Sequence, residues 1–507
     1  MPSKSVKSLA LAAVGAALAL KCVLFLRKAY IQSPLARIPG PWWAPLLYSR
    51  SLLAIGATIA GWTLYPLKTL QAHRRHGSVF RLGTTWISVS RGDIARSVLQ
   101  SDAIDKPAFV YQTFRYNEYG DNLFTTLSHE EHKRMRKAIA PAFAIQHLRS
   151  VETYFSRNFN VLSEQLDKLI DVSPTGEVVH DMWQKLKLFM ADCLGDSSFG
   201  GSFDSLKSCH GPARVPDLVY QIFSLKVLMA ILTFLKHFPN PILHDAHAKT
   251  SELASYIEPL VDDRISGNTR RDDLLQVLVE GVSTMDIEQG YGDVGRLARN
   301  EIIANSLLML SGGINTSSRS MAFLLINIIR HPHVYKTLQQ EVDNTPLDPQ
   351  TGLIPPEVCK QLPYLSACVN ETLRLYGVTW IVRVLNCDLQ ASEFFFPKGT
   401  TIMVPLFVLM RDPSTWDNPD DFIPERFLDG SKKDNAGFLP FSTGEYTCIG
   451  RNFALNVMKI CLANLLKKYE FDDVNPNHNL ELFVDGFTSL RYLPYLMKVR
   501  KHRNLEP

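Results

Sequence analysis

Near its C-terminus the chain reads Phe441-Ser442-Thr443-Gly444-Glu445-Tyr446-Thr447-Cys448-Ile449-Gly450-Arg451, followed by a helical run over Asn452 to Tyr469. A cysteine thiolate that ligates a metal must be held by backbone N–H groups. Its loop therefore wants glycines for φ > 0 and for close approach, which Gly444 and Gly450 supply. The N-terminus of the following helix favours the negative sulfur. A lone cysteine near glycines is more often a small buried hydrophobe, so the loop by itself does not decide its chemistry. Two other patterns stand out. In Glu371-Thr372-Leu373-Arg374 the acid and the guanidinium share one helix face and can pair, ordinarily as a solvated surface bridge. Asn300 to Ile329 is a long apolar helical pattern interrupted by Ser311-Gly312-Gly313-Ile314-Asn315-Thr316-Ser317-Ser318. Each glycine there gives up about 1 kcal/mol relative to alanine, a cost that points to a purpose.

The spacing Phe-x-x-Gly-x-x-x-Cys-x-Gly resembles the haem-ligand signature of the cytochrome P-450 superfamily, and the other motifs follow in the order that family shows. The resemblance extends over nearly the whole chain. It implies haem as cofactor and Cys448 as its iron ligand, with Phe441, Gly444 and Gly450 shaping the loop. It implies that Pro424-Glu425-Arg426-Phe427 brings Arg426 to Glu371 and Arg374 as a buried structural cluster beneath the haem. The positions matching the family's propionate-binding basic residues are His132, Arg136 and Arg383, arginine being suited to a buried carboxylate by its two-donor fork. Tyr446 departs from the pattern: the family usually carries Arg or His there, and a phenol donates one hydrogen bond without charge. The glycine stretch resembles the family's Gly-x-(Asp/Glu)-Thr element, in which a distorted helix opens a dioxygen groove and the threonine, here Thr316, helps deliver protons. Asn315 replaces the acid, so the relay would run through Thr316, Ser317 and water.

By position, the resemblance places Leu308, Gly312, Thr379, Trp380, Ile381, Phe487 and Thr488 around an apolar substrate pocket. The implied activity is that of a monooxygenase taking electrons from NADPH through a partner reductase, which would dock near the cysteine loop where Arg451 and Lys459 supply basic contacts. The general look is similar to fungal members of secondary metabolism. The missing acid at Asn315 keeps open an isomerase or dehydratase acting on an oxygenated substrate without dioxygen. A non-catalytic haem sensor is the third class, and it predicts no open position on the iron.

The elements that must position these residues are mostly helical. Long segments with helical apolar spacing prevail from about Glu130 to Glu341, whereas His76 to Gly83 with Trp86 to Ser90 reads as a β-hairpin, and Phe395 to Val404 as turn and strand. The fold class is mostly α with a small β portion, α+β, as in the cytochrome P-450 fold, preceded by a transmembrane helix. Leu9 to Leu26 is apolar but for Lys21 and, as a helix, would span roughly 27 Å at about 1.5 Å per residue. Basic residues flank it on both sides, Lys4 and Lys7 before, Arg27 and Lys28 after, so charge does not orient it. A cleaved secretory signal is the competing reading. Against it, the sequons at Asn315 and Asn370 fall in motifs expected to be buried, which favours a cytosolic catalytic domain on a retained anchor at the endoplasmic reticulum.

Residues 1–30 are thus expected as a membrane anchor, 31–50, with Ile38-Pro39-Gly40-Pro41, as a stiff Pro-rich connector, and 51–507 as one catalytic domain. Ser51 to Leu67 is read as a surface-lying or core segment rather than a second span. The chain has 507 residues, a formal charge of +4, 46% hydrophobic and 21% charged residues, and eight cysteines without C-x-x-C pairs. These values give no pointer to nucleic acid, disulfide scaffold or zinc site.

Overall fold

The computed structural model describes residues 26–42, 66–116, 118–208, 210–231, 241–281, 296–428, 436–474, 480–484 and 487–502, together with residues 16, 19–21, 23–24 and 476–477. Most of the Leu9–Leu26 run and all but the end of Ser51–Leu67 lie outside the described residues. Among those described, no helix is long and apolar enough to cross a membrane.

Helices dominate, as expected. The principal ones are α1 (Pro66–His76), α2 (Gly92–Gln100), α3 (His129–Ile139), α4 (Ile145–Asp171), α5 (Met182–Phe199), α6 (Val215–Ile231), α7 (Pro241–Ile265), α8 (Leu274–Glu280), α9 (Arg299–Arg330), α10 (Pro332–Asp343), α11 (Pro363–Tyr376) and α12 (Arg451–Lys468). Local chemistry sets their ends. Ser128 caps α3 by accepting from the Glu131 N–H at 3.2 Å, and Pro363 opens α11 at a position where the missing N–H has no intrahelical partner to lose. The Glu301 carboxylate of α9 reaches back to the Ala298 N–H at 2.9 Å.

The strands are β1 (Val79–Arg81), β2 (Trp86–Val89), β3 (Ile104–Asp105), β4 (Glu177–Asp181), β5 (Ile381–Leu385), β6 (Leu389–Ala391), β7 (Phe394–Phe396), β8 (Thr401–Val404), β9 (Tyr469–Asp473), β10 (Leu482–Val484), β11 (Thr488–Leu490) and β12 (Leu496–Lys501). The expected hairpin is β1–β2, antiparallel with Val79 opposite Val89. It belongs to a five-stranded sheet of order β1-β2-β8-β5-β3, in which β8 runs parallel to β2 and antiparallel to β5. The register Arg383 opposite Ile402 fixes where the β5 arginine emerges. A second sheet, β4-β12-β9, and the hairpins β6–β7 and β10–β11 complete the β portion.

At the centre lies α9, packed on α5, α6, α7, α11 and α12. Ile302 to Leu307, Leu310, Ser311, Ile314, Asn315 and Ser317 to Ile328 are all buried, which is why that segment reads apolar for so long. The described part of the Pro-rich connector is no free spacer. Leu35 and Ile38 are buried with the sheet strands, and the Arg81 N–H donates to the Pro39 carbonyl at 2.7 Å, so residues 35–39 lie along β1 as part of the globule.

Candidate functional site

Cys448 stands just before α12. Its own N–H donates to the Phe441 carbonyl at 3.0 Å, closing the loop on itself. The side chain is open to solvent-sized contact, yet burial is the largest influence on the thiol and pushes its pKa up. A group that is accessible and desolvated at once faces an internal cavity. The Gly450 N–H, aimed at the sulfur, and the charges of Arg136 and Arg451 pull the pKa the other way without overcoming burial. The two loop glycines differ in role. Gly444 has φ +73, and a Cβ there would lie 2.2 Å from the Leu99 carbonyl oxygen, so only glycine fits against the end of α2. Gly450 has φ −82 and an added Cβ would meet only ordinary contacts, so the positive φ expected of it is not found.

Glu371, Arg374 and Arg426 do meet. Arg374 donates from Nε and an Nη to the two Glu371 oxygens at 2.7 and 2.8 Å, and Arg426 Nε reaches Oε1 at 3.1 Å. Glu371 and Arg374 are fully buried, not solvated. The remaining Arg374 donors go to the Met410, Pro419 and Asp421 carbonyls, and its guanidinium carbon lies over the Trp416 ring, 5.1 Å from the centroid. The cluster thereby ties α11 to the chain leading into the cysteine loop.

Along α9, the accessible residues in the buried middle are Leu308, Met309, Gly312, Gly313 and Thr316. Positions 308, 312 and 316 share one face. An exposed stripe on a helix at the centre of the globule lines a cavity. The helix is not distorted there: α9 runs unbroken, and the Thr316 hydroxyl donates to the Gly312 carbonyl at 2.6 Å. Room comes instead from the missing side chain, since a Cβ on Gly312 would meet nothing within 4 Å. Gly313 serves packing, because a Cβ there would stand 2.8 Å from Leu194 of α5. Asn315 is 1% exposed and its Nδ2 finds no partner among the described residues. It points off the accessible stripe, so the structure does not bring it beside Thr316 at the cavity.

Other expected pocket residues divide. Trp380, Ile381 and Phe487 are half-buried, whereas Thr379 is buried and its hydroxyl has no partner among the described residues. The fully buried Thr488 donates to the Gly377 carbonyl at 2.9 Å and fastens β11 to the end of α11 rather than lining a pocket. Near the loop, Arg451 is exposed, and Lys459 is half-buried and donates to the Lys360 carbonyl at 3.3 Å.

Basic groups gather on the other side of the cysteine loop. Arg136 donates to the Thr447 carbonyl at 2.8 Å, and Arg383 is buried with an Nη on the Val382 carbonyl and on the Tyr111 hydroxyl, while its Nε has no partner among the described residues. His132 is buried. Burial, then Lys106, Arg136, His129 and Arg383 in turn, lower its pKa to about 3. Its Nδ1 comes within 3.3 Å of Glu445 Oε1, but neither atom makes a hydrogen bond among the described residues, so burial and the surrounding cations prevail over this ion pair and His132 is neutral near pH 7.

A family model described as cytochrome P-450 matches residues 53–495. The chain belongs to the cytochrome P-450 family. Among its relatives, the cytochrome P-450 monooxygenase acrD of Aspergillus aculeatus is 27% identical over 89% of this chain and 88% of its own. The monooxygenase FUS8 of Gibberella moniliformis is 27% identical over 93% of this chain and 90% of its own, and cytochrome P-450 3A6 of Oryctolagus cuniculus is 30% identical over 68% of each. This cytochrome P-450 is accordingly an oxidoreductase of a haem-thiolate monooxygenase family.

The residues present fit the haem that the family binds. The haem of this family takes a cysteine thiolate on one side of the iron, and its two carboxylates call for cationic partners at its edge. Cys448 is accessible, and the basic cluster holds a buried Arg383 Nε without a partner among the described residues. Coordination to iron deprotonates a thiol outright, which reverses the upward shift caused by burial.

Sequence reasoning missed Lys106. Its Nζ donates to the Leu123 and Phe124 carbonyls at 2.9 and 3.0 Å, and burial followed by the charge of Arg383 lowers its pKa to about 7. At Tyr446, where the cytochrome P-450 pattern is broken, the ring is the centre of this cluster: Lys106 Nζ and Arg383 Cζ each lie 4.8 Å from its centroid, and His132 meets it edge-on at 4.7 Å. The phenol oxygen lies 3.3 Å from His129 Nδ1. His129 in turn bridges Asp105 Oδ1 at 2.8 Å and Glu445 Oε2 at 3.0 Å. Nothing in the local sequence marks Lys106 or His129, since their partners come from β3, residues 123–124, β5 and the cysteine loop.

Proposed function

We propose that this cytochrome P-450 inserts one oxygen atom of dioxygen into an apolar small molecule, by hydroxylation or a related oxidation, in secondary-metabolite biosynthesis. Cys448 is the iron ligand. Arg136, His132, Arg383 and Lys106 hold the propionates, and Tyr446 organises the cations rather than donating to a carboxylate. When bound, the haem supplies dioxygen activation, its thiolate ligand favouring O–O cleavage. The chain's own part is to place substrate along the Leu308–Gly312–Thr316 face and to pass protons inward. Thr316 does so by releasing its bond to the Gly312 carbonyl and offering its hydroxyl, with Ser317 and water behind it.

The observation that carries the reading is that Cys448 is both desolvated and accessible, as a thiol set into the wall of a cavity must be. Electrons come from NADPH through cytochrome P-450 reductase docking by the exposed Arg451, with Lys459 behind it. The protein sits on the cytosolic face of the endoplasmic reticulum, anchored once by residues 1–30, with 51–507 as one catalytic unit, a placement that rests on the apolar Leu9–Leu26 run.

The test is the difference spectrum of reduced protein treated with carbon monoxide. A red-shifted thiolate band is expected, and Cys448→Ser abolishes it; a protein without porphyrin, or a band unaffected by the substitution, refutes the assignment. Product that appears only with dioxygen, reductase and NADPH separates oxygenation from the isomerase or dehydratase reading that Asn315 favours.

A further inference from the structure

Aromatic rings form an unbroken chain beside the accessible Leu308–Gly312–Thr316 face of α9. Between ring centroids, Tyr111 and Phe124 are 4.9 Å apart, Phe124 and Phe114 5.7 Å, Phe114 and Phe223 5.4 Å, and Phe223 and Phe487 4.6 Å, the last pair stacked at 17°. The rings come from three places: residues 111–124, α6, and the residue before β11.

Contacts with α9 fix this chain beside the accessible stripe. The Leu123 N–H donates to Asn305 Oδ1 at 3.0 Å, and the Tyr116 hydroxyl lies 2.7 Å from Ser311 Oγ and 3.3 Å from the Leu307 carbonyl. Both tethers flank Leu308. At the far end Phe487 pairs with Val378 and lies under the Arg319 guanidinium at 5.7 Å, and Arg319 follows Thr316 on the same helix face. The near end, Tyr111, lies under Arg383 at 5.4 Å.

These rings are not core. Phe155, Phe159, Phe189 and Phe323 are shut off completely, whereas Phe124 is 40% exposed and Phe114, Phe223 and Phe487 are half-buried. Large apolar side chains left open inside a globule forgo the gain of full burial. Their spacing and their mix of stacked, tilted and edge-on pairs are what aromatic quadrupoles favour, and a ring left partly open accepts a further ring at its free face or edge in the same way.

We propose that this ring chain is the specificity-determining surface, and that it selects substrates bearing a flat aromatic or conjugated ring system, which lies against Phe124, Phe114, Phe223 and Phe487. The inference rests on the reading above that the cavity is the substrate's. The probes are phenanthrene and perhydrophenanthrene, one carbon skeleton with and without a π face, titrated into the full-length holoprotein and followed by calorimetry and by the Soret shift. Phenanthrene binds roughly ten-fold more tightly. Phe223→Leu and Phe487→Leu, which keep an apolar side chain but remove the ring, each reduce that preference several-fold by weakening phenanthrene binding far more than perhydrophenanthrene binding. Phe124→Leu, on the most exposed ring, carries the same expectation should either of the others fail to fold. Equal affinity for the two probes, or a preference that survives the substitutions, overturns the proposal. The carbon monoxide band of the same sample tells the two readings apart: a band without aromatic preference sinks only the ring surface, and the absence of a band sinks the haem-thiolate reading beneath it.

Discussion

Replacing Glu371 by alanine removes the acceptor of two Arg374 bonds, of Arg426 Nε at 3.1 Å and of the Ile423 N–H at 2.9 Å, and leaves two guanidiniums in a dry site. Breaking a buried pair from one side costs about 3–5 kcal/mol, because the surviving charge loses its partner without regaining water. Set against a native stability of about 5–15 kcal/mol, the loss is large. With a urea slope of about 3 kcal/mol/M, the unfolding midpoint falls by about 1–1.7 M. Trp416 is fully buried under Arg374, so among the seven tryptophans it adds a component to the fluorescence that is sensitive to the cluster. Glu371→Gln keeps the Oε1 acceptor that Ile423, Arg426 and an Arg374 Nη use, but loses the charge and sets an NH2 donor where Oε2 accepted from Arg374 Nε, so its midpoint falls between wild type and alanine. A midpoint within about 0.3 M of wild type for the alanine variant is the value of a solvated surface pair and would refute the claim that these three residues form one buried unit.

Gly444→Ala is expected to destabilise the cysteine loop, since the new Cβ meets the Leu99 carbonyl at 2.2 Å and φ is +73; haem content of purified protein falls, and retention at wild-type level counts against the contact. On α9 the two neighbouring glycines separate. Gly312→Ala enters open space, gains up to about 1 kcal/mol of helix propensity and so raises the thermal midpoint, whereas Gly313→Ala strikes buried Leu194 and gains nothing. Burial lowers the pKa of His129, but its bonds to Asp105 and Glu445 outweigh this and leave it raised above 6.5. The stability it contributes is present in full below 6.5 and is lost as pH rises through the folded value. The gap in urea midpoint between wild type and His129→Gln is therefore widest near pH 6 and closes in the alkaline range, and a gap that widens with pH refutes the bridge.

Much of the site was legible because its motifs are local. The apolar pattern from Asn300 to Ile329 became α9 over Arg299–Arg330, since a helix buried on nearly every side announces itself at each position. The Glu371–Arg374 spacing implied a pair, and the resemblance brought Arg426 to it. What stayed hidden depended on distant surfaces. The two glycines of α9 look alike in sequence, and only Leu194 of α5 distinguishes packing from open space. Tyr446 read as a weakened anchor because its value lies in its ring, and the cations on that ring, Lys106 and Arg383, come from separate elements. Thr488 was placed near the pocket by order alone, and its bond to Gly377 turns it inward.

The pairing of Trp86 with Thr401 in the mixed sheet has a consequence for synthesis. The β1–β2 hairpin leaves the ribosome early, yet the strand that covers its open edge is made near the end of translation. Until then that edge offers unpaired N–H and C=O groups to any other extended chain nearby. Slowing elongation between β2 and β8 therefore prolongs a sticky intermediate, and a soluble yield that rises with chaperone supply or with faster synthesis of the middle of the chain follows from strand order alone.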